Sequence, residues 1–270
     1  MSQTFYVMGT SDAETRRLTA QATLLRPITD RLLRAAGVGP GQRVLEIGCG
    51  AGDVCQLAAE LVGPGGSVLG IDRDPEVLAV ARQRARDAGL DTVRTQQATA
   101  ADFQDTEGFD AVIGRYVLVH QEDQVGFLRD AARLTRPGGV IAFHEMNALQ
   151  GAQSLPRVEL WQQVADWIVS VMRAGAPQSD VGARFVGLFA AAELPQPSIC
   201  CETPAGGADS AVLTIQTETL LGLLPQLVQA GALTEDEVDA DTLQQRLHHA
   251  VAASNSQIQW PPQYCAWARL

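Results

Sequence analysis

A chain of 270 residues, 46% of them hydrophobic, can bury a sizeable core and matches the size of one α/β domain with insertions. A net charge of −11, a pI near 4.8 and the lack of any Lys/Arg-rich run argue against a phosphate-neutralising surface, so nucleic acid is not an expected partner. No apolar run approaches the roughly 18 residues of a membrane span, and no signal-peptide pattern opens the chain. Five scattered cysteines without C-x-x-C spacing suggest neither zinc nor disulfides, but reduced thiols of a cytoplasmic protein.

In chain order, residues 12–36 carry a helical pattern (Leu18, Leu25, Ile28, Leu32, Leu33), with a break or restart expected at Pro27. Strands are expected at 43–47, 67–71, 92–97, 110–114 and 139–144, alternating with helices at 53–62, 75–88 and 122–134. Asp74-Pro75 supplies a cap and first-turn pair for the second helix. Arg82, Arg84 and Arg86 on that helix read as a solvated face. The alternation predicts a parallel sheet with helices on both faces. Beyond residue 147, helices are expected at 154–173 and 179–194, a strand at 198–202, helical structure at 209–253 broken near Gly231, and a final strand at 264–270.

The most informative stretch is Val44-Leu45-Glu46-Ile47-Gly48-Cys49-Gly50-Ala51-Gly52-Asp53. A short apolar strand runs into a glycine turn and then a helix start. Glycine permits a tight turn and close approach of a ligand, and the helix N-terminus presents free N–H groups. Asp72 ends the next strand about 20 residues later, the separation of a carboxylate that takes a ribose diol. The dinucleotide fingerprint G-x-G-x-x-G is not met, because Asp53 stands where its third glycine belongs. Glu46 beside the turn would repel a pyrophosphate but suits the ammonium of a methionine moiety. These details favour S-adenosylmethionine (SAM) over NAD.

On these residues the chain resembles the class I SAM-dependent methyltransferases, small-molecule subgroup of bacterial and fungal type. Residues 46–52 match the family's first motif and Gly70-Ile71-Asp72 its second. Phe109-Asp110-Ala111-Val112-Ile113 and Leu134-Thr135-Arg136-Pro137-Gly138-Gly139-Val140 resemble the fourth strand and the turn into the fifth. The resemblance implies a Rossmann-like, doubly wound seven-stranded sheet, mostly parallel with an antiparallel last strand. It divides the chain into an N-terminal helical cap over the cofactor (1–36), a SAM-binding core (37–150), and helical lid insertions with the C-terminal strands of the same sheet (151–270). The segment Tyr6-x-x-Gly9, then Glu14-x-x-Arg17-Leu18-x-x-Gln21, is similar to a leading segment that folds over the cofactor. By that likeness Tyr6 and Arg17 contact the methionine end of SAM; the alternative is a surface helix with an i,i+3 ion pair.

Gly48, Gly50 and Gly52 then give backbone approach, Asp72 takes the ribose hydroxyls, and Arg73 covers the adenine. The family's usual acid after the third strand is replaced by Ala98-Thr99 and Ala100, unless Asp102 reaches in; Thr99 and Ala100 stand as the cofactor-facing positions. Arg115, at the exit of the fourth strand, can clamp a carboxylate. His120, Trp161 and Trp167 are candidate substrate contacts, the tryptophans being as readily core. His144 is the candidate general base, weighed against a structural, hydrogen-bonded histidine. No His/Cys/Asp/Glu set has metal spacing. The expected reaction is methyl transfer from SAM to an O, N or C atom of a small, partly apolar metabolite, in the manner of secondary metabolism, by a monomer or homodimer. A SAM-binding sensor or partner protein without catalysis, and a nicotinamide oxidoreductase, are the rival readings.

Overall fold

The computed structural model describes residues 12–175 and 178–270. The chain forms α1 (Asp12–Ala36), β1 (Arg43–Ile47), α2 (Asp53–Val62), β2 (Ser67–Asp72), α3 (Pro75–Asp87), β3 (Val93–Gln97), β4 (Phe109–Arg115), α4 (Gln124–Arg133) and β5 (Thr135–Met146). There follow β6 (Gln153–Leu155), α5 (Glu159–Gly175), α6 (Phe185–Ala191), β7 (Ser198–Glu202), β8 (Ala205–Gly206), α7 (Ala211–Gln229), α8 (Glu235–Val238), α9 (Leu243–Ala253), β9 (Gln257–Gln259) and β10 (Gln263–Arg269).

Seven strands make one sheet in the order β3-β2-β1-β4-β5-β10-β7. β1 runs parallel to β2 and β4 in the register Leu45–Leu69 and Leu45–Val112. β10 is the antiparallel member. Gly138 N–H donates to the Leu270 carbonyl at 2.7 Å and Leu270 N–H to the Gly139 carbonyl at 2.9 Å, so the start of β5 meets the end of β10. The central strands are apolar because both faces are covered: Val44, Leu45, Ile47, Ala111, Val112, Ile113, Ile141, Ala142 and Phe143 are all buried. Phe127 meets Phe143 at a 60° tilt with ring centroids 5.8 Å apart, and Phe185 meets Phe189 edge-on at 6.2 Å. The expected doubly wound α/β fold with an antiparallel last strand is the fold observed.

Contacts divide the chain into two compact units. Of the described residues, one holds 26–145, 181–200 and 264–270; the other holds 12–25, 146–175, 178–180 and 201–263. The second contains a three-stranded sheet, β6-β9-β8, in which β9 pairs antiparallel with both neighbours.

Several expectations are corrected. Pro27 does not interrupt α1, which is one helix of 25 residues. A proline removes its own N–H and crowds the carbonyl one turn back, but Ile28, Leu32, Leu33 and Ala36, all buried, hold the following turns in place. The helix expected from residue 154 starts at Glu159, because Gln153–Leu155 pairs with Gln257–Gln259. The helix expected over 179–194 is a 3₁₀ turn, Val181–Arg184, running into α6. The small sheet was not foreseen, since strands of two or three residues carry no period to read. The helical stretch 209–253 does break at Gly231, into α7, α8 and α9. α7 is long and apolar enough to cross a membrane by composition, against the expectation that no run approaches that length. Its Val212, Leu213, Ile215, Leu220, Leu223 and Leu227 are buried, as in a core helix.

Candidate active site

The turn after β1 is built as its glycines require. Gly48, Gly50 and Gly52 have φ of +67°, +51° and +83°, values that other residues rarely adopt. At Gly48 a Cβ would also come within 2.8 Å of Val117 Cγ2, so the turn and the exit of β4 are packed to a hydrogen at this position. α2 then starts on Gly52 without a side-chain cap, leaving first-turn N–H groups to a ligand.

Asp72 is tied into that turn. Its Oδ2 accepts from Gly50 N–H at 2.9 Å and its Oδ1 from Asp74 N–H at 3.1 Å. Each oxygen keeps acceptor capacity for a further donor. Arg84 clamps the turn from α3, donating to the Ala51 carbonyl at 3.1 Å and to Asp53 Oδ1 at 2.6 Å. The solvated-face reading thus holds for the exposed Arg82 and Arg86 but not for Arg84.

Glu46 is 2% exposed in the middle of β1. Burial raises its carboxyl to about 8, against the stabilising pull of hydrogen bonds from Cys55 and of the Arg115 charge. Its Oε2 is buried with no hydrogen-bond partner. An orphaned acid oxygen beside a glycine turn is costly unless something occupies it. Arg115, the last residue of β4, forms no ion pair or hydrogen bond among the described residues.

At the ends of β2 and β3 lies an open groove of about 510 Å³ lined by Arg73, Gln97, Ala98, Thr99, Asp102 and Phe103 among others. Thr99 Oγ1 donates to Asp102 Oδ2 at 2.7 Å and accepts from Asp102 N–H at 3.2 Å. Asp102 thus stands in the groove from a position four residues beyond the alanine that replaces the usual acid. Ala100 is buried, and its carbonyl accepts from Arg133 at 2.9 Å. His120 is half-buried, and burial together with the nearby Arg73 charge lowers its pKa.

His144 is fully buried at the end of β5. Its Nδ1 is 3.0 Å from Thr29 Oγ1, and Tyr116 meets its ring edge-on at 5.8 Å. Glu145, on the opposite face of the strand, is also fully buried. Its Oε1 accepts from Val117 N–H at 2.8 Å and Leu118 N–H at 2.7 Å, while Oε2 has no partner. Desolvation raises this carboxyl to about 8. The pair of N–H groups it holds belongs to the turn that packs Val117 onto Gly48. Nothing in the spacing singled out Glu145, because an acid in an apolar run is visible but its partner is not.

Tyr6 and the side chain of Arg17 lie outside the described residues. Glu46, Gly48, Gly50, Gly52, Asp72, Arg73, Thr99, Arg115, His120 and His144 all belong to the first unit, at or just beyond the carboxyl ends of β1 to β5. That is where open α/β sheets hold ligands. Trp161 and Trp167 lie on α5 in the second unit; Trp161 is fully buried with its indole N–H unpartnered, and Trp167 is half-buried. Asp102, named from the sequence as the acid that could reach in, does line the groove; sequence reasoning missed Arg84 as a clamp, the bonds of Glu145, and a cavity in the second unit lined by Gln216 and Trp260.

This strand order, with its glycine turn and acid-ended second strand, defines a Rossmann-like nucleoside-binding protein. The methyltransferase domain family (Methyltransf_31) matches residues 39–185. The chain belongs to this family of class I SAM-dependent methyltransferases, whose cofactor is S-adenosylmethionine. It is 36% identical over 156 residues to nocamycin O-methyltransferase from Saccharothrix syringae, covering 57% of this chain and 53% of that protein. It is 38% identical over 119 residues to aklanonic acid methyltransferase from Streptomyces sp. strain C5, covering 43% of this chain and 54% of that protein. The chain thus matches about half the length of these curated relatives. The YcgJ protein of Bacillus subtilis shares the fold, with a TM-score of 0.55 at 19% identity over 88% of this chain and 95% of that one.

Proposed function

We propose that the protein transfers a methyl group from S-adenosylmethionine to a small, partly apolar acceptor, releasing S-adenosylhomocysteine. The observation that carries this reading is the orphaned, buried Oε2 of Glu46 beside the left-handed glycine turn. A carboxyl raised to about 8 by burial ionises when an ammonium group arrives to pair with it, and a pyrophosphate offers it no such partner, which favours the methionine end of SAM over a nicotinamide dinucleotide. Bound there, SAM supplies a methyl group on a positively charged sulfur.

The chain's own residues divide the remaining work. Asp72, pre-positioned by Gly50 and Asp74, has free acceptor capacity for the ribose diol. Arg73, Thr99 and Asp102 frame the groove for the adenine, Asp102 serving in place of the missing acid at Ala98. The Arg115 charge partly counters the burial of Glu46, and Arg115 would take the methionine carboxylate, with Tyr6 and Arg17 as the further contacts that the family resemblance implies. Holding donor and acceptor in line is the main catalytic task, so a base is not obligatory. His144, closed off from solvent and bonded to Thr29, fits a structural role better than that of a base.

The relatives named nocamycin O-methyltransferase and aklanonic acid methyltransferase support a small-molecule acceptor and a place in secondary metabolism. None of the five cysteines is joined in a disulfide, which fits a reducing, cytoplasmic setting.

The test is calorimetric titration with SAM, S-adenosylhomocysteine and NADH side by side. Micromolar binding of both sulfur ligands and none of NADH is the expected outcome; binding of NADH alone overturns the reading. Asp72→Ala is expected to weaken SAM at least about 100-fold, since it removes two charge-assisted bonds to the ligand. Unchanged affinity would remove Asp72 from the site.

A further inference from the structure

The second unit contains a cavity of about 70 Å³ whose walls are almost wholly apolar. Met146, Ile168, Met172 and Trp260 line it, with small residues of 148–152 and Ala165 between them. The polar groups facing it among the described residues are carboxamides and a hydroxyl, from Gln21, Gln216 and Thr219, and none of the described lining residues is charged. Thr219 spends its hydroxyl hydrogen on the Ile215 carbonyl at 2.6 Å.

Gln216 is the exception in this packing. It is 2% exposed and forms no hydrogen bond with any described residue. Its neighbours on the buried face of α7, Val212, Leu213, Ile215 and Leu220, are core residues. A buried amide without a partner is costly, and a leucine of similar size would pack there without that cost. A polar group retained under those terms, aimed into an apolar cavity, has the character of a ligand contact. The two methionines add walls that adapt to the shape of an occupant.

We propose that this cavity binds a short, neutral, apolar arm of the methyl acceptor carrying one carbonyl or hydroxyl group, hydrogen-bonded by the Gln216 carboxamide. The inference rests on the methyl-transfer reading for the identity of the ligand as acceptor. The volume is about half that of an apolar cavity that takes benzene, so it receives a branch of a few non-hydrogen atoms rather than a ring. A carboxylate or ammonium arm is disfavoured, because no counter-charge among the described lining residues repays its desolvation.

The test follows the ¹³C-labelled methyl groups of methionine by NMR, with Met146→Leu and Met172→Leu assigning the two signals. Butan-2-one is expected to shift both signals saturably, and butanoate to leave them in place. Gln216→Leu is expected to weaken butan-2-one about fivefold, the loss of one hydrogen bond, while raising the melting temperature. The rise in melting temperature separates a ligand contact from a structural glutamine. Unmoved methionine signals, equal binding of butanoate, unchanged ketone affinity in Gln216→Leu, or a lowered melting temperature would each overturn the proposal. SAM titrated into the same samples keeps the two readings apart. SAM binding with a silent cavity sinks the cavity alone; a responsive cavity in a protein indifferent to SAM sinks both the acceptor assignment and the methyl-transfer reading.

Discussion

Glu145 illustrates what one buried acid does here. With Oε1 it gathers the N–H groups of Val117 and Leu118, and Val117 in turn closes against Gly48. Its carboxyl is raised to about 8 by burial. Between the ordinary glutamate value of about 4.3 and that raised value, the native chain holds a proton that the unfolded chain has released. Stability from this group is therefore complete below the lower value and is lost as pH rises through the upper one. Glu145→Gln keeps an oxygen to accept both N–H groups and cannot titrate. Its melting temperature is expected to fall less than that of the parent between about pH 5 and pH 8. Matching profiles would show that Glu145 does not set the slope. Glu46 carries the same upward shift, so the variant flattens the profile without abolishing it. Both acids are visible in the sequence as charges inside apolar strands. Their roles are not, because the Val117 and Leu118 N–H groups and the orphaned oxygens come from folding.

At the scale of elements, α2, α3 and α4 were legible because their signals are local. Asp74 accepts from Glu76 N–H at 2.8 Å and Asp123 from Gly126 N–H at 2.8 Å, and each cap sits immediately before its helix. α1 was misjudged because tertiary burial outweighs one missing hydrogen bond at Pro27. Pro27 is exposed, so Pro27→Ala restores a donor without disturbing the core. It is expected to stabilise the protein by roughly 1–3 kcal/mol, allowing for the greater freedom of the unfolded chain. Denaturant unfolding measures this, and a loss of stability would mean that the proline fits its site without cost. The start of α5 was misplaced for a different reason: β6 exists only through pairing with β9, about 100 residues away in the chain.

At the scale of the whole molecule, charge is the clearest property. With 20 Lys and Arg against 31 Asp and Glu, and with arginines such as Arg43, Arg84 and Arg133 engaged by nearby acids, the excess of negative charge repels phosphates. No shift of a 20-base-pair duplex is expected in a gel at roughly 50 mM salt, where phosphate contacts are strongest. A salt-sensitive shift at micromolar protein would contradict that reading.

The sequence by itself determined the sheet, the glycine turn with its two acids, and the family. Those features depend on local period, on glycine's access to positive φ, and on spacing along consecutive strands. Only the tertiary structure decided which acids are orphaned, that Asp102 stands in the groove where Ala98 cannot, that Arg84 clamps the turn, and that Gln216 faces an apolar cavity. Those depend on segments far apart in the chain arriving at one place, and on the loss of water from the groups they cover.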